Sequence, residues 1–327
     1  MVLHWLKEMI RRHLSRIDPM LRLIVLAIVL ASFVPVREGG RPVAQAVSNC
    51  AIFLLFFLNG VRLSRQEVLR GIGHWRFLLP LAGWVFLVMA AAGWGVTHVT
   101  GHSLPPLVAL GFLYLGTLPS TVQSATAYSS LAGGNVASSV VAAAVLNILG
   151  VFLTAPLFSL LAGRSELSLS GDGLLKVVLI LLLPFILGQF AQRWVRDWAG
   201  EHRMLVTWTD RSSIAIAVYV AFSGAVVSGI WSKLEAGDWG ILLIGVGAML
   251  IFAFGGSWLA GSLLKLERGD HIAFLYAGAQ KSIAMGAPLA AVLFKPSVAG
   301  LLLLPALVYH LAQLVLSAPL ASRLRAQ

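Results

Sequence analysis

The sequence predicts an all-α polytopic membrane protein whose ten transmembrane helices form two inverted repeats of five helices each. Three observations lead to this prediction. Of the 327 residues, 58% are hydrophobic and only 11% are charged, whereas a soluble domain carries about 25% charged residues. The polar residues lie between long apolar runs of about 20 residues, which is the length that spans a bilayer. Finally, a seven-residue pattern recurs half a chain apart.

The apolar runs define the predicted spans, and the connections between them are too short for a separate soluble domain. The longest connection, residues 193–211, joins spans 6 and 7, overlaps their ends and is rich in charge. The ten spans cover residues 19–36, 42–61, 76–98, 104–131, 135–162, 173–194, 208–231, 238–263, 270–294 and 297–321.

An amphipathic segment, residues 1–17, precedes span 1. Several of its apolar side chains share one face at helical spacing, which predicts a helix lying on the membrane surface. These side chains are Trp5, Leu6, Met9, Ile10 and Leu14.

The distribution of basic residues predicts the orientation of the chain. The net charge of +11 comes from Lys and Arg in the connections, so it indicates topology and not a nucleic-acid surface. Seventeen Lys and Arg residues fall on the side of the N-terminus and six on the other side. We therefore expect both termini in the cytoplasm and an integral plasma membrane protein, in the bacterial inner membrane. Its expected partners include membrane lipids and exclude nucleic acid.

The recurring pattern suggests an internal duplication. Residues 151–157, VFLTAPL, end span 5, and residues 314–320, LVLSAPL, end span 10, at an offset of 163 residues. The predicted repeats are residues 18–165 and 166–327. An odd number of spans in each repeat makes the second repeat inverted relative to the first. Inverted repeats are typical of secondary transporters, which bind substrate at the repeat interface near the membrane midplane.

Span 4 is interrupted by Pro119 and a group of polar residues. Proline removes a backbone donor, and such a break is tolerated at membrane depth only where it is buried in protein or lines a wet cavity. The polar residues are candidate substrate or cation ligands, or else they bond back to a kinked backbone. They are Ser120, Thr121, Gln123 and Ser124.

Span 9 carries a matching segment, residues 278–286, GAQKSIAMG, with its break predicted at Gly278 and with Gln280 beside a lysine. Lys281 is eleven residues from Asp270, about 16 Å at helical rise, which is too deep for its ammonium to reach water. A charge at this depth is a functional-site hypothesis by default. The alternative is a structural lysine that binds the negative end of a broken helix, and both interpretations can hold together.

Spans 5 and 10 each carry a polar stripe along one helical face. Ser139 and Asn147 lie on span 5, and His310, Gln313 and Ser317 lie on span 10. At the offset of 163, Asn147 corresponds to His310. Such stripes either take part in function or hold helices together, and His310 could relay protons. No metal or phosphate motif is present, so no cofactor is expected, with H⁺ or Na⁺ as the possible coupling ion.

Several segments resemble the bile acid:sodium symporter family in order and spacing over nearly the whole chain. They are residues 58–64 after span 2, the Pro119 region, residues 131–135 before span 5 and the Gln280 region. The resemblance implies a core domain and a panel domain, with helices 4 and 9 crossing at the midplane. The panel would hold helices 1, 2, 6 and 7, about 19–61 and 173–231, and the core helices 3–5 and 8–10, about 76–162 and 238–321.

The family places sodium sites around the crossing, and three positions here depart from its pattern. Tyr276 replaces the family's carboxylate in helix 9, and Lys281 replaces an asparagine there. Ala143 replaces a hydroxyl residue in helix 5. The resemblance thus implies a degenerate sodium site, in which Lys281 takes sodium's place as a tethered cation, and it is closest to the branch of the seventh human member. The implied site residues are Ser120, Thr121, Gln123, Ser124, Ser139 and Gln280.

The expected function is therefore secondary active transport of a small organic anion by alternating access, with Lys281 in place of the usual sodium-site chemistry. An ion channel or a regulator of ion homeostasis on the same fold is the alternative. An enzyme is not expected, because Ser282 and Lys281 are adjacent and adjacent helical residues do not face each other.

Overall fold

A computed structural model describes residues 19–62, 73–163, 175–176, 178–229 and 234–326. This part of the chain is built of helices and contains no strand, which confirms the all-α prediction. We number the helices α1 Pro19–Phe33, α2 Arg41–Arg62, α3 Trp75–Thr100, α4 Pro106–Thr117, α5 Gln123–Leu131, α6 Val136–Ala162, α7 Val178–Glu201, α8 Arg203–Val227, α9 Ala236–Leu263, α10 Arg268–Ala279, α11 Ile283–Leu293 and α12 Pro296–Ala326.

Within the described residues, seven helices are long and apolar enough to cross a membrane on their own: α2, α3, α6, α7, α8, α9 and α12. Two of the predicted spans each consist of two shorter helices, α4 with α5 and α10 with α11. The chain is thus a polytopic membrane protein by length and composition, and the count of ten spans stays a prediction. The surface helix predicted for residues 1–17 lies outside the described residues.

Two expectations about helix ends are wrong. Residues 193–211 are not a connection, because α7 continues to Glu201 and α8 begins at Arg203. Charged side chains mark where a helix leaves the apolar layer, not where it ends. Likewise, the break in span 9 is not at Gly278, which lies inside α10. A side chain at Gly278 would meet Ser257 and Trp84, so this glycine serves close packing.

The helices pack in two groups. In the first, α8 lies against α1 and α2, and α2 lies against α7. In the second, α4 lies against α3, α6 and α12, while α10 lies against α5, α6 and α9. Helix α8 also contacts α11 and α12, so it connects the groups. The division into panel and core domains stays a prediction.

Helices α3 and α4 approach each other closely because glycines face each other. A Cβ at Gly93 would meet the carbonyl oxygen of Phe112, and one at Gly116 would meet that of Met89. Thr97 Oγ1 donates to Ala109 O across the same contact at 2.9 Å. Small residues let helix backbones pack tightly in membranes. This contact holds the end of α4 against α3, where the candidate site begins.

The contact between α3 and α4 gives a matched pair of variants. Gly93→Ala should destabilise the protein by about 1–3 kcal/mol, because the added methyl collides with backbone. Gly95→Ala, two residues along the same helix, has nothing within 4 Å of the added methyl and should be neutral or slightly stabilising. Thermal unfolding of both variants in one detergent measures the difference. Equal stability of the two would contradict the close approach.

Candidate functional site

The buried ammonium of Lys281 lies at the centre of the site, between the ends of α10 and α11. Its side chain is 1% exposed. Nζ donates to three backbone carbonyls: Val85 O at 2.9 Å, Gly116 O at 2.9 Å and Leu118 O at 2.8 Å. The last carbonyls of a helix have no partner within the helix and carry partial negative charge. Lys281 therefore closes the C-terminal end of α4, as the structural interpretation of this residue predicted.

Val85 belongs to a π-helical stretch of α3, Trp84–Val88. Stretches of this kind are rare and occur often at functional sites. Here the stretch contributes one of the three oxygens around the ammonium, so α3 is tied to the break in span 4 through Lys281.

The first break, residues 118–122, is satisfied by neighbouring helices. Thr154 Oγ1 donates to Thr117 O at 3.0 Å, and Asn147 Nδ2 donates to Ser120 O at 3.2 Å. Pro119 lies in the break, and its carbonyl accepts from the backbone N–H of Ser282 at 2.8 Å. That last bond joins the two breaks directly, backbone to backbone. We term the place where the two breaks meet the crossing.

The second break, residues 280–282, is held by α12. Tyr309 donates its hydroxyl to Ala279 O, the end of α10, at 2.6 Å. Gln313 forms a two-way bond with the backbone of Lys281, accepting from its N–H at 2.8 Å and donating to its carbonyl at 3.0 Å. Several backbone groups at both breaks are therefore paired by neighbouring helices, as a chain at membrane depth requires.

Gln280 links the second break to the polar residues after the first. Its side chain is buried, and its Oε1 accepts from Thr121 Oγ1 at 2.7 Å and from Ser124 Oγ at 2.6 Å. Its Nε2 donates to Ser317 Oγ at 3.1 Å. Four of the residues singled out by sequence thus meet in one hydrogen-bonded group.

Other residues singled out by sequence lie at the edge of this arrangement or away from it. His310 is 8% exposed and lies 2.8 Å, through Nδ1, from Gln313 Nε2. Ser120 is buried, and its Oγ lies 3.5 Å from Thr121 O. Ser139 is buried and faces Thr126 Oγ1 at 3.5 Å, so its described contacts are with α5 and not with the crossing.

Tyr276 of α10 stands where the resemblance implies a carboxylate in span 9. It offers a phenol hydroxyl there instead. Its hydroxyl lies 3.5 Å from Ser317 O, and its ring stacks on Tyr128 with centroids 6.0 Å apart. Within the described residues, no group of three or more His, Cys, Asp or Glu could hold a metal ion. The carbonyl oxygens at the crossing already surround an ammonium.

A cavity of about 370 Å³ lies between the crossing and the first group of helices. Its wall at the crossing includes Thr121, Asn147, Ser282 and His310, together with Gln123 and Ser124 at the start of α5. The opposite wall is apolar and includes Leu55, Phe56, Phe185 and Ile214. Lys281 is not among the lining residues, so its ammonium lies outside the wall of the cavity.

The sequence interpretation missed two kinds of residue here. Tyr309 closes the end of α10, but a tyrosine in an apolar helix carries no distinctive signal. Arg62, Asp210 and Arg211 also line the cavity, yet the sequence suggested only topology for the arginines and a connection for the aspartate. Their position near the ends of long helices was the available signal.

Known proteins resemble this chain along nearly all of its length. The chain matches the SBF-like CPA transporter family over residues 18–326. It is 36% identical over 311 residues to the Escherichia coli (strain K12) protein named "Putative symporter YfeH", covering 95% of this chain and 94% of that protein. It is 24% identical over 323 residues to Sodium/bile acid cotransporter 7 of Mus musculus, covering 92% of this chain and 91% of that protein.

These relatives are named as transporters, which confirms the resemblance suggested by the sequence motifs. With a family match over residues 18–326, with long apolar helices and with two interrupted helices meeting at a buried lysine, the chain belongs to the SBF-like CPA transporter family.

Proposed function

We propose that this protein moves a small organic anion across the membrane by alternating access, with Lys281 as a built-in cation in the place of sodium. The observation that carries the proposal is the set of three carbonyls around Lys281 Nζ, at 2.8–2.9 Å. A bound ion would neutralise the same helix end, but an ammonium attached to the chain does so without an ion from solution.

Contacts at the crossing support two inverted repeats. Residues related by the offset of 163 touch each other there: Lys281 Nζ bonds to Leu118 O, and Ser282 N bonds to Pro119 O. Equivalent residues contact each other directly only near a symmetry axis. A second pair of contacts also matches at this offset, Thr154 with Thr117 and Ser317 with Gln280.

The cavity supports alternating access. It lies between the two groups of helices, so a movement of one group against the other would open and close it. Arg62 and Arg211 line it on the side that the count of basic residues assigns to the cytoplasm. We therefore propose that this conformation faces inward, with both termini on the cytoplasmic side.

An anionic cargo follows from the field in the cavity. The first residues of α5 and α11 are among its lining residues, and the N-terminal end of a helix favours negative charge. The mouse relative is named for bile acid, an organic anion, and for sodium. For this chain we propose an organic anion without sodium.

The contacts of Lys281 favour a fixed cation over a proton carrier. A neutral amine has two hydrogens and could not donate to all three carbonyls, so loss of the proton would leave a buried oxygen unpaired. If a proton takes part in coupling, His310 is the better candidate, because it lines the cavity and histidine is the residue type most often used to relay protons.

Removing the ammonium should weaken the crossing. Lys281→Ala leaves three buried carbonyls without a donor, and we expect a loss of about 3–5 kcal/mol in the free energy of unfolding. Ammonium chloride should restore part of the thermal stability, because the small cation can enter the vacated position, and choline chloride should not. Lys295→Ala, which removes an exposed lysine, should respond to neither salt.

Lys281→Met, which keeps the volume of the side chain, serves if the alanine variant cannot be purified. Stability of both Lys281 variants equal to that of Lys295→Ala would show that the ammonium does not hold the crossing.

Filling the cavity should stop transport without unfolding the protein. Ala144 lines the cavity, so Ala144→Trp should reduce counterflow of radiolabelled taurocholate, cholate and 2-naphthoate in liposomes to background. Leu160→Trp lies on the same helix at a side chain that is 77% exposed, and it should transport like the unmodified protein. Absence of counterflow for every anion of the set in the unmodified protein would contradict the proposed function.

A further inference from the structure

Three charged residues form one end of the cavity, which we term the charged end: Arg62 of α2 with Asp210 and Arg211 of α8. Arg62 Nη2 is paired with Asp210 Oδ2. The same nitrogen lies 2.7 Å from Asn59 Oδ1. This is the one ion pair among the described residues, and it lies against an otherwise apolar wall.

Arg211 differs from Arg62 because it forms no ion pair within 4 Å in the described part of the chain, although Asp210 interacts with it electrostatically. Its guanidinium carbon lies 5.8 Å from the centre of the Trp208 ring. Its Nε is buried without a hydrogen-bond partner in that part of the chain, as is Asp210 Oδ1. Buried polar groups are nearly always paired. The unpaired Nε of Arg211 is a donor, so it favours a ligand group that accepts hydrogen bonds, whereas Asp210 Oδ1 is an acceptor that an acid would leave unpaired.

The charges in the cavity are unevenly distributed. At the charged end, two cations and one anion sum to one positive charge. The wall at the crossing offers neutral polar groups such as Asn147 and Ser282, and the ammonium of Lys281 is engaged with backbone carbonyls. Among the lining residues that the structure describes, the excess positive side-chain charge therefore lies near Arg211, and low-dielectric walls concentrate its field.

We propose that the charged end binds the acidic group of the transported molecule and selects for a single negative charge. This proposal rests on the proposed function and adds the residues that recognise the cargo. The apolar wall around Phe56 and Phe185 contacts the body of the molecule, and its neutral end lies toward the crossing.

The two kinds of charge have different roles. Guanidinium groups bind carboxylates and sulfonates through paired hydrogen bonds, so Arg211 attracts the acid. Asp210 holds Arg62 and removes one unit from the net charge. A second negative charge on the ligand would face Asp210, and the described lining residues offer no further cation to offset it. Like charges in a cavity of low dielectric repel each other.

Three ligands with one ring system and different charge test this selection. They are 2-naphthamide, which is neutral, 2-naphthoate, which carries one negative charge, and naphthalene-2,3-dicarboxylate, which carries two at one end. Binding to the purified protein in lipid nanodiscs is measured by calorimetry at a pH where the acids are ionised. We expect 2-naphthoate to bind about tenfold or more tightly than the other two.

Charge variants change the expected order in opposite directions. Arg211→Gln lowers the charge of this end to zero and should abolish the preference of the protein for 2-naphthoate over 2-naphthamide. Asp210→Asn raises the charge to +2 and should shift the preference toward the dicarboxylate. Arg211→Lys keeps the charge and should keep the preference for the monoanion. Arg203→Gln, an exposed residue of the same helix, should change nothing.

A role in folding alone would lower thermal stability but would not reverse the order of ligands. If both Arg211→Gln and Asp210→Asn keep the unmodified order, the inference is wrong, and counterflow by the unmodified protein leaves the proposed function standing. If the unmodified protein binds the three ligands equally or binds none, the inference also fails. Counterflow then decides separately whether the protein transports organic anions.

Discussion

The crossing of the two broken helices depends on one buried ammonium group. Lys281 Nζ joins the end of α4 to a π-helical stretch of α3 through three carbonyl oxygens at 2.8–2.9 Å. Inside a membrane every backbone group must find a partner within the protein, and a helix that stops there leaves its last carbonyls without partners. The lysine supplies these hydrogen bonds and offsets the negative helix end with one group. Gln313 and Tyr309 supply hydrogen bonds to backbone carbonyls at the second break.

In this arrangement, different residues neutralise the helix end and recognise the cargo, two tasks that a single bound ion could perform together. Lys281 neutralises the helix end behind the cavity, outside its lining, whereas Arg62 and Arg211 face the cavity from the opposite group of helices. In the proposed mechanism, the lysine holds the crossing in every conformation, and the arginines recognise the cargo. In this mechanism the cation is attached to the chain, so the proposed transport cycle needs no ion to bind before the cargo does.

The sequence predicted the crossing better than it predicted the cavity. Pro119 and Lys281 stand out because proline and charge are costly within apolar runs. The partners of Lys281 are backbone oxygens, which have no signature in side-chain patterns, so the sequence left its structural and functional roles open. Asp210 was assigned to a connection because charged residues near a span end resemble a loop, although α8 already begins at Arg203. Which helices face each other across the cavity depends on packing, which one sequence does not reveal.

The most direct test of Lys281 as a built-in cation is counterflow of an organic anion in liposomes in which choline replaces sodium on both sides. We expect the same rate with and without sodium, because the ammonium already occupies the carbonyl oxygens at the crossing. A sodium gradient that drives accumulation of the anion by the unmodified protein would contradict this role of Lys281.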